Sequence, residues 1–174
     1  MMKTEVPLIG FCAWSGCGKT TLLTQLLPIF VSLGLKVAVI KHAHHHFDID
    51  HPGKDSFKLR EAGASQMLIS SRKRMALITE FEEDRAEPSL SEALERLNMQ
   101  ELDLILVEGF KHENIKKIEL HRPDLKKPLM FPDDPNIIAI ASDSEIYENQ
   151  NGLPELSLNK PEQIAQFIVD NILI

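Results

Sequence analysis

Residues 12–23 read Cys-Ala-Trp-Ser-Gly-Cys-Gly-Lys-Thr-Thr-Leu-Leu, and this stretch decides the fold. An apolar run, residues 6–12, precedes it, and a helical pattern, residues 22–30, follows it. Strand, glycine-rich turn, Gly-Lys-Thr and helix is the order that a phosphate-binding P-loop requires. Glycines let the backbone curl until successive N–H groups face one anion. A helix opening near Gly18 adds its positive end. Lys19 can reach the outer phosphates, and the Thr20 hydroxyl can ligate Mg²⁺. Ser15, Gly16, Cys17, Gly18 and Thr21 complete the expected phosphate-binding set. The usual pattern opens with glycine; here Ala13, the smallest replacement, stands there, while the Gly-x-Gly-Lys-Thr core is intact.

Outward from this loop the chain alternates strand and helix. Residues 8–12 read as a strand buried on both faces. Residues 21–33 carry a broad apolar stripe at helical spacing, with Pro28 as a kink or early end and Gly34 as a C-cap. Residues 36–40 (KVAVI) form a second strand, residues 42–53 a polar loop and residues 54–62 a short helix. Residues 66–70 and 75–79 read as a hairpin through Ser71-Arg72-Lys73-Arg74, followed by an acidic loop at 80–87. Ser89-Leu90-Ser91-Glu92 is a capping box that opens a helix to about Met99. Residues 102–107 (LDLILV) are a strongly apolar strand, and residues 117–120 a weaker one expected near a sheet edge. Residues 137–141 are another buried strand, and a last helix starts around residues 159–162. The pattern predicts an α/β fold of the P-loop NTPase type: a doubly wound, mostly parallel sheet with helices on both faces. We expect a single P-loop nucleotide-binding domain over residues 1–174, with an irregular insertion around 121–136. Ligands of such sheets bind at the carboxyl ends of the strands.

Bulk properties narrow the function. The formal net charge is −7, which argues against a general nucleic-acid binder. No apolar run approaches the roughly eighteen residues needed to span a membrane, and Lys3 and Glu5 argue against a leader peptide. Cys12 and Cys17 do not suggest a disulfide framework, so a reducing, cytoplasmic location is expected. Cys17 reads either as a reactive thiol in an anion-binding loop or as a small residue tolerated there.

Further candidates lie at strand ends. Glu108, followed by Gly109 and Phe110, closes the LDLILV strand, where a carboxylate can hold metal or position an attacking water. Asp103 comes too early in that strand and reads as structural. Five of the seven histidines fall within residues 42–51. That density admits a transition-metal site, but it equally admits a nucleotide-side or substrate-side role for a histidine or for Asp50. Arg60, Arg72 and Arg74 read either as a patch for an anionic partner or as solvated charges.

Together these residues resemble the molybdopterin-guanine dinucleotide biosynthesis protein B (MobB) family. The resemblance is carried by CAWSGCGKTTLL, by the histidine loop through Asp48-Ile49-Asp50, and by residues 52–64 (PGKDSFKLREAGA). It extends to residues 102–113 (LDLILVEGFKHE) and 138–143 (IAIASD). It implies a GTP-binding homodimer with Mg²⁺ and low GTPase activity. It also implies an accessory role in joining GMP to molybdopterin, beside a MobA-type molybdopterin guanylyltransferase and a molybdopterin-loaded protein. Carried over by residue, Lys19 and Glu108 would serve catalysis, and Thr20, Asp50 and Glu108 would surround the metal. Gly109 would let the chain pass close to the γ-phosphate. Asp143 could read guanine, since a carboxylate can accept from both N1–H and the exocyclic amine, although the Asn-Lys-x-Asp motif is absent. The competing readings are a metallochaperone-type GTPase using the histidine loop, a P-loop small-molecule kinase, and a non-enzymatic adaptor that retains a nucleotide.

Overall fold

The computed structural model describes residues 5–43, 47–81, 85–146 and 152–173. It divides into two compact units: Met1–His42 with Ser89–Ile174, and Ala43–Pro88.

The larger unit is built on six strands: β1 (Leu8–Ala13), β2 (Val37–Lys41), β5 (Leu104–Glu108), β6 (Lys117–His121), β7 (Ile137–Ser142) and β8 (Glu155–Ser157). The smaller unit holds β3 (Gln66–Ser70) and β4 (Met75–Thr79). The six-stranded order is β2-β5-β1-β6-β7-β8, and each recorded pairing is parallel. Two helices, α1 (Lys19–Ser32) and α4 (Pro161–Ile172), cover one face. Their Leu22, Leu26, Phe30, Ile164 and Ile168 pack with Leu104, Leu106, Ile118 and Leu120. The short helix α3 (Leu90–Leu94) covers the other face, where Leu90 and Leu94 meet Ile105 and Val107. Alternation along β5 thus feeds two cores, as a sheet covered on both sides demands. Pro28 lies inside α1 without ending it. Gly34, at φ 79°, closes the helix, with the Leu35 N–H donating to the Phe30 carbonyl at 3.1 Å. That is the hydrogen bond of a left-handed helix cap.

The expected edge position of residues 117–120 is overturned. β6 runs between β1 and β7, and all five of its residues are buried. Its weak signal arises because Lys117, Glu119 and His121 alternate with Ile118 and Leu120, so one face of a central strand is polar. That face is satisfied by the irregular segment after the strand. Glu119, wholly buried, accepts from the backbone N–H groups of Met130 (2.8 Å) and Phe131 (2.9 Å). Lys117 pairs with Asp134 at 2.7 Å. Two further differences are small: α3 is shorter than its capping box suggested, and the three-residue β8 had no visible signal.

In the smaller unit, helix α2 (Asp55–Glu61) precedes an antiparallel hairpin of β3 (Gln66–Ser70) and β4 (Met75–Thr79). The hairpin lies where the alternating pattern put it. Its turn is tied by the Ser71 N–H to the Arg74 carbonyl at 2.8 Å.

Candidate functional site

At the carboxyl end of β1 the chain turns through residues 14–18 into α1. Gly16 and Gly18 take φ of 85° and 90°, in the left-handed region that disfavours every side chain. A Cβ on Gly16 would meet nothing within 4 Å, so glycine is needed there for conformation and not for clearance. Ala13 still belongs to β1, and among the described residues only Lys126 takes a positive φ without being glycine. Alanine is therefore tolerated at the first position. The Leu22 N–H donates to the Gly18 carbonyl at 2.9 Å, so α1 begins on the loop itself. The Lys19 ammonium folds back and donates to the Ala13 carbonyl at 3.3 Å, which places it across the loop. Ser15, Thr20 and Thr21 are exposed at the same turn. Cys17 is buried in the core against α1, which favours its reading as a small packed residue. Cys12 and Cys17 are both free, and burial pushes the Cys12 thiol up to about 12.

Trp14 locks the loop to the irregular segment. Its Nε1 donates to the Pro128 carbonyl at 2.8 Å, and the ammonium groups of Lys111 and Lys127 each lie 5.7 Å from its ring centre.

Two strands away from β6, Glu108 ends β5 directly beside β1, level with Phe11, and its side chain is only 12% exposed. Lys41 of β2 approaches it at 3.9 Å. Gly109 follows at φ 99°, and a Cβ there would come within 2.9 Å of the His42 Cβ. This glycine is thus required by His42, whose ring lies 4.9 Å from that of Phe110. Asp103 has the structural role expected of it: it accepts from the Lys36 N–H at 2.7 Å and pins the start of β2.

Asp143 follows β7. Its carboxylate is ion-paired with Arg122, which follows β6, and the Nε of Arg122 donates to the Cys17 carbonyl at 3.0 Å. Sequence reasoning missed Arg122 because nothing local marks it. Its signal lies in the register, which aligns His121 with Ser142 and so sets the next residues side by side.

Asp50 belongs to the smaller unit. It is buried, accepts from Ser56 Oγ and the His51 N–H at 3.0 Å each, and faces Arg60 Nε at 3.6 Å. Arg60 also pairs with Asp48 (3.0 Å) and Glu80, and only 9% of its side chain is exposed. Of the three arginines read as a partner-facing patch, this one is an internal hub. Bonding to the Asp50 N–H, with help from Arg60, holds the Asp48 carboxyl below its usual range. His44, His45 and His46 of the histidine loop lie outside the described residues. Among the described residues, no group of three or more His, Cys, Asp or Glu side chains could hold a metal ion.

A parallel sheet with a glycine-rich loop between its first strand and first helix, an acidic residue closing the adjacent strand, and a lysine folded over the loop defines a P-loop NTPase fold. The family described as molybdopterin guanine dinucleotide synthesis protein B (MobB) matches residues 8–143, and the chain belongs to it. It is 45% identical over 169 residues to the molybdopterin-guanine dinucleotide biosynthesis adapter protein of Escherichia coli K12, covering 97% of this chain and 94% of that one. The protein of the same name from Haemophilus influenzae is 40% identical, with 96% and 90% covered. Among solved structures, Bacillus subtilis MobB superimposes with a TM-score of 0.72 at 25% identity, covering 95% of this chain and 98% of that one.

Proposed function

We propose that this chain is a guanine-nucleotide-binding accessory protein in the biosynthesis of molybdopterin guanine dinucleotide. The observation that carries the nucleotide half is the loop at residues 13–21: two left-handed glycines, a helix opening on the loop and Lys19 across it. The names of its relatives supply the biosynthetic half. In this reading the phosphates lie against the loop N–H groups of residues 16–21, and Lys19 balances their charge. The exposed Thr20 hydroxyl and the Glu108 carboxylate suit a hard divalent cation such as Mg²⁺, which would neutralise phosphate charge. Glu108, held at the strand end, orients the attacking water, and Gly109 keeps the following backbone low. Asp143 reads guanine. With Asp50 bound by Arg60, Ser56 and His51 in its own unit, the metal reading rests on Thr20 and Glu108.

We further propose that the chain works as a cytoplasmic homodimer beside a MobA-type guanylyltransferase and a molybdopterin-loaded protein. The register of the β3–β4 hairpin puts Leu68 and Leu77 on one face with Met75, and all three are more than half exposed. This is apolar surface of the kind an interface uses.

Calorimetric titration of GTP and of ATP with Mg²⁺, on the wild type and on Lys19→Ala, tests the nucleotide half. Selective GTP binding that disappears in the variant is expected. Equal or preferential ATP binding would shift the reading to a small-molecule kinase. The word adapter in the names of the relatives favours a second reading, in which bound GTP is retained and not cleaved. Following the fate of bound GTP over time separates turnover from retention.

A further inference from the structure

We infer that Arg122 is a positioning residue that ties base recognition to the phosphate loop; this rests on the reading of Asp143 as the guanine contact. The parallel register builds the arrangement. Leu120 of β6 pairs with Ala13, the last residue of β1 before the loop, and His121 pairs with Ser142 of β7. One residue further on, Arg122 stands between the phosphate loop on one side and Asp143 on the other. Its guanidinium uses both: Nε donates to the Cys17 carbonyl at 3.0 Å and Nη1 pairs with Asp143 Oδ2. Nη2 would lie 3.5 Å from a Cβ built on Gly18.

This geometry distinguishes Arg122 from an arginine that touches phosphate. In a trans peptide the Cys17 C=O and the Gly18 N–H point in opposite directions. A cation on that carbonyl therefore sits behind the peptide whose N–H faces the anion. It polarises the peptide and strengthens the N–H as a donor. At the other end of the fork, the guanidinium bond to Oδ2 and a long one from Ser144 Oγ to Oδ1 (3.5 Å) still leave the Asp143 carboxylate room to accept, because an ionised carboxylate offers about four lone-pair sites. Asp143 can hold Arg122 through Oδ2 and still accept two bonds from a guanine edge. Only a rigid, planar fork spans both partners at once; a lysine ammonium is a point charge on a flexible stem.

The platform that presents Arg122 is itself clamped. Glu119 holds the backbone of Met130 and Phe131, Lys117 holds Asp134, and Trp14 holds Pro128. The middle and the far end of the segment that follows Arg122 are thus tied to the phosphate loop or to β6. The side chain of Arg122 is 36% exposed, so replacing it does not open a core.

The test is binding of GTP, ATP and xanthosine triphosphate to the full chain, comparing wild type with Arg122→Ala, Arg122→Lys and Asp143→Asn, each checked by thermal unfolding. Arg122→Ala is expected to lower GTP affinity and to reduce the GTP-over-ATP preference by about tenfold, the scale of one lost charge-assisted bond. Arg122→Lys is expected to recover part of the affinity but not the preference; it also serves if the alanine variant does not fold. Asp143→Asn is expected to move the preference toward xanthosine triphosphate. A simple packing role for Arg122 would lower melting temperature without changing the ratio between bases. If the wild type prefers GTP and both Arg122 variants keep that preference, this inference is overturned and the guanine reading stands. If Asp143→Asn leaves the base preference unchanged, the inference again falls while guanine binding stands. A wild type that binds GTP and ATP alike overturns both.

Discussion

Gly109 and His42 approach so closely that a methyl group on the glycine would lie 2.9 Å from the His42 Cβ and 3.2 Å from its carbonyl oxygen. The contact joins the ends of β5 and β2, where the His42 N–H also donates to the Glu108 carbonyl at 2.9 Å. Gly109→Ala therefore meets two obstacles, a left-handed φ of 99° and a backbone wall. We expect a loss of about 1–3 kcal/mol in unfolding free energy and a displaced Glu108. Urea unfolding measures the first; weakened Mg²⁺-dependent nucleotide binding reports the second. Wild-type stability in this variant would show that the two strand ends are free to separate.

Arg60 organises the smaller unit by gathering carboxylates from the loop before α2 and from the residue after β4. Removing it as Arg60→Ala would leave the buried Asp50 carboxylate facing no cation. A loss of stability is expected from stranding the Asp50 carboxylate, with the half-exposed Asp48 and Glu80 adding little. Hydrogen exchange should show faster exchange in residues 55–79, with the amides of β1, β5 and β6 unchanged. Loss of protection throughout the chain would contradict a role confined to this unit.

Two carboxyls, the buried Glu119 and the partly exposed Asp134, make stability depend on pH in opposite senses. Burial pushes Asp134 up, but the Lys117 ammonium and Asn136 outweigh it and leave the carboxyl below its ordinary 3.8. Its contribution is thus fully present above about 3.8 and lost as pH falls through the lower folded value. For Glu119, burial dominates over the Met130 and Phe131 N–H groups and raises the carboxyl above 4.5. Ionising it in the folded chain is costly, so stability declines as pH rises from 4.5 through that raised value. Asp134→Asn should flatten the acid limb of a stability–pH curve. An unchanged acid limb would show that the Lys117 pair does not stabilise the fold.

The single tryptophan of the chain, Trp14, lies in the phosphate loop between two lysines and anchors to Pro128. Nucleotide binding should therefore alter its emission directly. The change is expected to saturate with the affinity found by calorimetry and to vanish in Lys19→Ala. Emission that is indifferent to saturating nucleotide would argue against phosphates resting on this loop.

The elements legible in the sequence are those whose signal is local. The loop at residues 13–21 declares itself through glycine spacing, and the β3–β4 hairpin through alternation and a polar turn. Glu108 is visible because an acidic residue ends an unbroken apolar strand. β6 was misplaced because Lys117, Glu119 and His121 look solvated on paper. The partners of Lys117 and Glu119 lie on the irregular stretch at residues 130–134, and burial of such groups is tolerable only once those partners are present. The Arg122–Asp143 pair and the Arg60 hub were hidden for the same reason: each depends on register or packing between residues far apart in the chain.

The insertion of residues 43–88 between two strands that pair with each other, β2 and β5, has a kinetic consequence. β2 forms one edge of the six-stranded sheet, and its Val37 pairs with Leu104, across the entire smaller unit. Closing so long a loop costs more entropy than the short-range β3–β4 pairing, which forms from local contacts. If the hairpin and α2 assemble first, they shorten the span that must be searched before β2 can dock. Residues 43–88 would then act as a chaperone within the chain for its own edge strand, and refolding should slow whenever that unit is weakened, even where the assembled sheet is left untouched.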